Sequence, residues 1–270
     1  MKNSKTIGVQ QITRMADVET IVAYWENKFF NHGKGFPLIW YRGQGKDEPL
    51  QPGVLRSNYL SSCDNDDLQI YPKPIMLWNK ERTINRQFRR MSASLVSADS
   101  DQVFRYLLAQ HHGIPTRLLD WTLNPLAALY FAISGDPAED GVIFVFNAKE
   151  LGNPLDMRDK QVKQTVDAVF CDAQIKFGAK ILPVVPDLFA GRMLQQNSCF
   201  TLHTPPLKLN KSGDFKLKPA QIPKVEKHII PKGQKDNLLL TLRRLGVSQA
   251  TLFSDLDHVA KEIKHAWGLK

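Results

Sequence analysis

The chain has 270 residues, enough to bury a substantial core in one large domain or two small ones. Apolar residues make up 43% and charged residues 23%, as in ordinary globular proteins, and no apolar run approaches the roughly 20 residues that cross a bilayer. The net charge of +9 favours polyanionic partners such as nucleic acid or an acidic protein, but encodes no sequence preference and equally suits a basic enzyme. Three widely spaced cysteines (Cys63, Cys171, Cys199) argue against a disulfide framework, and MKNSKTIGVQQ lacks the apolar core of a signal peptide. The expectation is a cytoplasmic protein with no membrane association.

Residues 17–30 read as an amphipathic helix, with Val18, Ile21, Val22 and Trp25 on one face. A buried strand is expected from Phe36 to Arg42, followed by a turn at Gly43 and Gly45. GQGKD (43–47) is not a phosphate loop. Trp40 stands where its first glycine should be, and Asp47 replaces the magnesium-binding Ser or Thr. Residues 49–74 read as loop. Helices follow at 79–91 and 101–111, the latter with Phe104, Leu107 and Leu108 inward and Gly113 as its stop.

HHGIPTRLLDWTLNPLAALYFA (111–132) is the most informative stretch. Residues 116–122 alternate as a strand does. Asn124 suits an N-cap and Pro125 the first helical position, and the helix from Leu126 to Ile133 is apolar on nearly every side and therefore buried. Leu118, Leu119, Leu126 and Leu129 are expected to pack. Burying Arg117, Asp120 or Thr122 costs free energy unless each is paired, so the segment reads as one that holds a site in shape. Pairing of Asp120 with Arg117 or another buried cation is the structural expectation. His111 and His112 read first as helix-end residues, and as ligand contacts only because this segment follows.

GVIFVFN (141–147) reads as a central strand, 156–171 as a helix, and KILPVVP and CFTLHTP as strands. The Lys- and Pro-rich residues 204–237 read as mobile. A helix at 238–245 ends at Gly246, and the last helix starts at Ser254, with Asp257 three residues on as an imperfect capping box. Cys199 and His203 share a strand face; a nucleophile pair is conceivable there, and a core cysteine beside an unrelated histidine is the simpler reading. There is no internal repeat, and no GxSxG, HExxH or CxxC supports a serine hydrolase or a zinc site. Helices and strands are mixed without the regular alternation of a doubly wound sheet, which points to an α+β fold.

Tyr41-Arg42-Gly43-Gln44 together with HHGIPTRLLDWTLNPLAALYFA resembles the FRG-domain family, named for a Phe-Arg-Gly signature in which Tyr41 here replaces the phenylalanine. The likeness continues through QPGVLR (Pro52, Arg56), GVIFVFN, RMLQQNSCF (192–200) and LFSDLDHVAKEI, with Ser198 where the family has a glycine. It implies an N-terminal helical segment over 1–35 packed on a single FRG domain over 36–270.

The order of parts also resembles the arginine-first variant of the ADP-ribosyltransferases, implying a split β-sheet core with surrounding helices. Arg42 would then stand on the first strand, Thr122 on the second, and Gln196, or alternatively Gln195, in place of the usual catalytic glutamate. On this resemblance the substrate is NAD and no metal is required. Arg42 would bind its phosphate or ribose, with Gly43 allowing close approach to the backbone. Thr122 would hold the nicotinamide ribose, Tyr130 or Phe131 would pack near the nicotinamide, and Asp120 is a further carboxylate candidate.

An amide at 196 cannot act as a general base. Leu194 stands where arginine modifiers carry a glutamate, which leaves RNA or DNA as an attractive acceptor. The resemblance further implies a bacterial toxin or phage-defence effector with a neutralising antitoxin partner. The alternative is a non-catalytic nucleotide- or nucleic-acid-binding module. A metal-independent nuclease or other nucleotide-processing enzyme has less support, and no carboxylate cluster for metal-assisted phosphoryl chemistry stands out.

Overall fold

The computed structural model describes residues 11–29, 38–56, 73–170, 180–187, 191–204, 221–253 and 255–269. Cys63, Cys171, Ser254 and the lysines between 208 and 218 lie outside them. The described part is α+β: six strands form one sheet whose pairings are all antiparallel, flanked by helices. The strands are β1 (Ile39–Gln44), β2 (Leu118–Thr122), β3 (Gly141–Asn147), β4 (Ile181–Val184), β5 (Ser198–His203) and β6 (Glu226–Ile230), in the order β4-β5-β2-β1-β3-β6. The helices are α1 (Met15–Phe29), α2 (Lys73–Met91), α3 (Gln102–His111), α4 (Pro125–Ile133), α5 (Lys160–Phe170), α6 (Gly191–Gln195), α7 (Lys235–Arg244), α8 (Gln249–Phe253) and α9 (Leu256–Ala266). None of them is long and apolar enough to cross a membrane.

The pleat sorts the core. On one face, Trp40, Leu119, Trp121, Val142, Phe144, Phe146 and Cys199 make a single cluster across β1, β2, β3 and β5. The other face is divided. Over β1, β3 and β6, Ile39, Tyr41, Ile143, Val145 and Ile230 pack with α1, α4 and α7. Over β2, β4 and β5, Leu118, Leu182, Val184, Phe200 and Leu202 pack with α3 and α5. The boundary between the two helix groups runs over the junction of β1 with β2. Those two strands share one register pair, Tyr41 with Thr122, whereas β1 and β3 pair along six residues.

Local chemistry explains the start of α4 and both ends of α3. Asn124 accepts from the backbone N–H groups of Leu126 and Ala127, and Pro125 opens α4. Asp101 caps α3 through the Phe104 N–H, and Gly113 leaves it at φ +80°. The buried face of α3 is Val103, Tyr106, Leu107 and Ala109, so Leu107 is inward as expected while Phe104 and Leu108 are only half-buried. That orientation brings the Tyr106 hydroxyl onto Glu81, a contact made by another helix.

Four expectations are corrected. Strand β1 continues through Gly43 and Gln44, because the ladder with β3 extends to Gly43–Ile143 and Gln44–Val142. Helix α2 begins at Lys73, six residues before the expected start. Residues 226–230 of the Lys- and Pro-rich stretch are strand β6, with His228 and Ile230 buried against β3. Helix α9 begins at Leu256, where Asp255 accepts from the His258 N–H, and α6 and α8 are short helices without a clear pattern in the sequence.

Arg117 pairs with Glu81 of α2, and not with Asp120. Its Nε lies 2.9 Å from both carboxylate oxygens and an Nη 2.6 Å from one, with both side chains almost wholly buried. Tyr106 closes the network by donating to Glu81 at 2.9 Å and accepting from the Arg117 backbone N–H at 2.8 Å. Glu81→Gln removes the charge and strands the arginine, so it should cost about 3–5 kcal/mol in urea unfolding.

On the opposite face, Trp121 Nε1 donates to the Thr201 hydroxyl, which is also hydrogen-bonded to His203 Nε2 at 3.1 Å. Burial lowers the His203 pKa to about 4. Burial disfavours the charged ring, and a neutral ring can either accept from or donate to this hydroxyl. The unfolded chain therefore takes up the proton first, so the stability this neutral ring contributes is fully present above about pH 6.5 and declines as pH falls toward 4. Urea unfolding should lose about 2 kcal/mol between pH 7 and pH 5 from this group, a loss that His203→Gln removes.

Candidate active site

A cleft of about 940 Å³ opens over the parting of β1 and β2. Its floor is Tyr41, Arg42 and Gly43 from β1, Leu118, Asp120 and Thr122 from β2, and Ser198 and Phe200 from β5. Its walls are α3 with the turn after it (Gln110 to Pro115), Phe131 of α4, and Arg192, Met193 and Gln196. Gly53 and Arg56 close one side. The volume is at the upper end for small-molecule sites.

Arg42 stands at the fork. Its Nη1 donates to the backbone carbonyl of Asp120 at 2.7 Å and its Nε to Gln44 Oε1 at 3.0 Å. The guanidinium thus takes a β2 carbonyl that a continuing ladder would have given to a β1 N–H. Burial lowers its pKa to about 10, with Asp120 opposing and Arg56 adding to the shift, so it remains a cation at neutral pH. Gln44 is in turn fixed by donating to the Glu48 carbonyl at 2.9 Å.

Thr122 donates its hydroxyl to the backbone carbonyl of Gln196 and accepts from the Asn124 N–H at 2.9 Å. It therefore ties β2 to the turn between α6 and β5. That turn reverses at Asn197, whose φ of +44° is a left-handed conformation asparagine tolerates, and its carbonyl accepts from the Leu123 N–H. The Gln196 side chain lies against the cleft and donates to the Leu252 carbonyl at 3.0 Å. Gln195 is exposed and does not line the cleft.

Asp120 is 56% exposed and reaches into the cleft from β2. The Gln110 amide donates to both carboxylate oxygens, at 3.1 and 3.0 Å, and Arg42 Nη1 is 3.9 Å from Oδ2. Among the described residues lining the cleft it is the only carboxylate, against the guanidiniums of Arg42, Arg56 and Arg192. Arg192 lies over the ring of Phe253 at 4.5 Å. Burial, then Arg192 and His112, lower the pKa of His111, which favours the neutral ring.

Arg42, Gly43, Asp120, Thr122, Phe131 and Gln196 therefore share one cleft. Tyr130 does not: it is buried among the core residues of α4, because it points to the helix side away from Phe131. Gly43, which lines the cleft, has a packing role as well. A Cβ there would stand 1.8 Å from the Ala128 carbonyl oxygen, so the glycine lets α4 press onto β1. Cys199 is buried with its thiol pKa pushed up, and His203 bonds Thr201 instead, so the two make no nucleophile pair. Leu194 is exposed.

Gln110, Arg192 and the network behind Arg117 were not singled out by the sequence. Gln110 sits one residue before the distinctive segment, and its spacing from Asp120 has no local signature. Among the described residues, no group of three or more His, Cys, Asp or Glu could hold a metal ion.

Gly43→Ala should displace α4 from β1 and deform the cleft. The expected result is a loss of about 1–3 kcal/mol or more in urea unfolding, measured with the wild type alongside.

Residues 38–141 match the model of the FRG domain family. The match runs from the residue before β1 to the first residue of β3, and so includes both strands that frame the cleft. No curated protein and no solved structure matches the chain.

Proposed function

We propose that this FRG-domain chain cleaves NAD and transfers ADP-ribose to a macromolecule. The observation that carries the reading is convergence. Arg42, Thr122 and Gln196, separated by long stretches of sequence, meet in one cleft, and Thr122 bonds directly to the Gln196 backbone. The three parts follow the chain order of the ADP-ribosyltransferase resemblance, and the strands concerned are neighbours here, β1 beside β2 and β2 beside β5, with the sheet parting between the first two.

The chemistry suits the lining. The pyrophosphate of NAD is dianionic, and Arg42, Arg56 and Arg192 supply fixed guanidinium donors. Departure of nicotinamide leaves positive charge on the ribose, so preorganised electrostatics govern the rate more than a strong nucleophile does. Phe131 offers an aromatic face for the nicotinamide. The net charge of +9 favours RNA or DNA as the acceptor, bound through phosphates and weakened by salt. A toxin or phage-defence role held in check by a neutralising protein extends this reading through the family resemblance alone.

One observation favours a second reading, a non-catalytic nucleotide-binding module. The residue in the usual glutamate position is an amide already committed to the Leu252 carbonyl.

Incubation with labelled NAD and cell extract separates the two. Transfer of label by the wild type, reduced about 10- to 100-fold by Arg42→Ala and by Arg42→Lys, is the expected outcome, because a single ammonium cannot replace the fork. Undiminished labelling in both variants overturns the site assignment. Tight NAD binding with neither label transfer nor nicotinamide release establishes the binding module instead.

A further inference from the structure

We infer that Asp120, and not Gln196, supplies the negative charge that faces the reacting ribose. The inference rests on the NAD-cleaving reading above and deepens it. Stabilising an oxocarbenium-like ribose calls for an anion, and an amide has none to give. The Gln196 amide is further tied to the wall of the cleft through the Leu252 carbonyl.

Asp120 is placed for the task. It stands two residues before Thr122 on β2, so both side chains leave the same face of the strand, with backbones roughly 7 Å apart. Strand β5 presents Phe200 and Ser198 opposite them, on the same face and lining the same cleft.

Its carboxylate is oriented by a relay. The Thr116 hydroxyl donates to Gln110 Oε1, which turns the Gln110 amide toward Asp120, where it contacts both oxygens. The same hydroxyl accepts from the Leu118 N–H at 3.1 Å, so the relay is anchored at the start of β2 itself. One amide nitrogen leaves most of the roughly four lone-pair positions of a carboxylate open to the cleft. The Arg42 guanidinium, 3.9 Å from Oδ2, marks where an anionic phosphate or a ribose hydroxyl is held beside it. Gln110 is thus a positioning residue and Asp120 the catalytic one.

The step balances. The bond from ribose C1′ to the nicotinamide nitrogen breaks, and its electron pair leaves with neutral nicotinamide. C1′ becomes electron-poor opposite the Asp120 carboxylate. An acceptor hydroxyl or amine, or water, then forms the new bond to C1′, and its proton passes to Asp120 and on to solvent. The products are nicotinamide, ADP-ribosylated acceptor and one proton.

The test uses the full chain with NAD, reading nicotinamide release and, by calorimetry, NAD affinity. Asp120→Asn should lower kcat about 100-fold or more while the Kd for NAD changes by no more than about threefold. Its thermal unfolding should match the wild type, since the side chain is more than half exposed. Formate added to Asp120→Ala should restore part of the rate, which a structural role would not allow. Gln110→Ala should lower kcat by a smaller factor with KM little changed. Nicotinamide release by Asp120→Asn within about threefold of a turning-over wild type overturns the assignment of Asp120 and leaves the enzyme reading standing. A wild type that binds NAD and releases no nicotinamide overturns both.

Discussion

Strands β1 and β2 meet at a single pair, Tyr41 with Thr122, and then part. The gap is held by Arg42, whose guanidinium takes the Asp120 carbonyl in place of a β1 N–H. Had the ladder continued, the sheet would be closed at this point and the two helix groups above it could meet. The parting keeps α1, α4 and α7 on one side and α3 and α5 on the other, and the cleft is the space between them. The uninterrupted cluster on the reverse face, from Trp40 through Leu119 and Trp121 to Phe146, joins the two halves of the sheet across that gap.

Two kinds of rigidity surround this opening. One is steric: Gly43 has no side chain, and α4 lies where a Cβ would be, which fixes the wall that carries Phe131. The other is electrostatic. Glu81, Arg117 and Tyr106 form a buried, fully bonded group beneath the start of β2, linking α2 and α3 to the strand that carries Asp120 and Thr122. A buried ion pair is a poor source of net stability, because desolvation offsets its attraction. Its use here is geometric, since each member is held from two sides.

The cleft is unequal in charge, with three guanidiniums to one carboxylate among its described lining. Such a lining attracts phosphate-bearing molecules wherever they bind. That one carboxylate, Asp120, is held by a glutamine that is itself held by Thr116. The FRG match over residues 38–141 spans this whole group, from Arg42 through Gln110 and Thr116 to Thr122 and Phe131.

The sequence by itself determined the parts that depend on near neighbours. Asn124 and Pro125 announce α4 because capping needs residues two or three apart, Gly113 ends α3 by its freedom at positive φ, and the short, β-branched and aromatic run of GVIFVFN reads as a buried strand. The residues of the candidate site were legible through an ordered motif, whose resemblance to a known arrangement, and no local rule, implied that Arg42, Thr122 and Gln196 meet. Tertiary structure alone decided the partners. Arg117 is adjacent in sequence to Leu118 and three residues from Asp120, yet its charge is answered by Glu81 from a distant helix, leaving Asp120 to Gln110 and the cleft. Tyr130 and Phe131 are neighbours of similar character, and only the rotation of α4 sends one into the core and the other to the cleft. Local rules act over one helical turn or one strand pleat, whereas the pairing of a buried charge is settled by whichever counter-charge the fold brings to it.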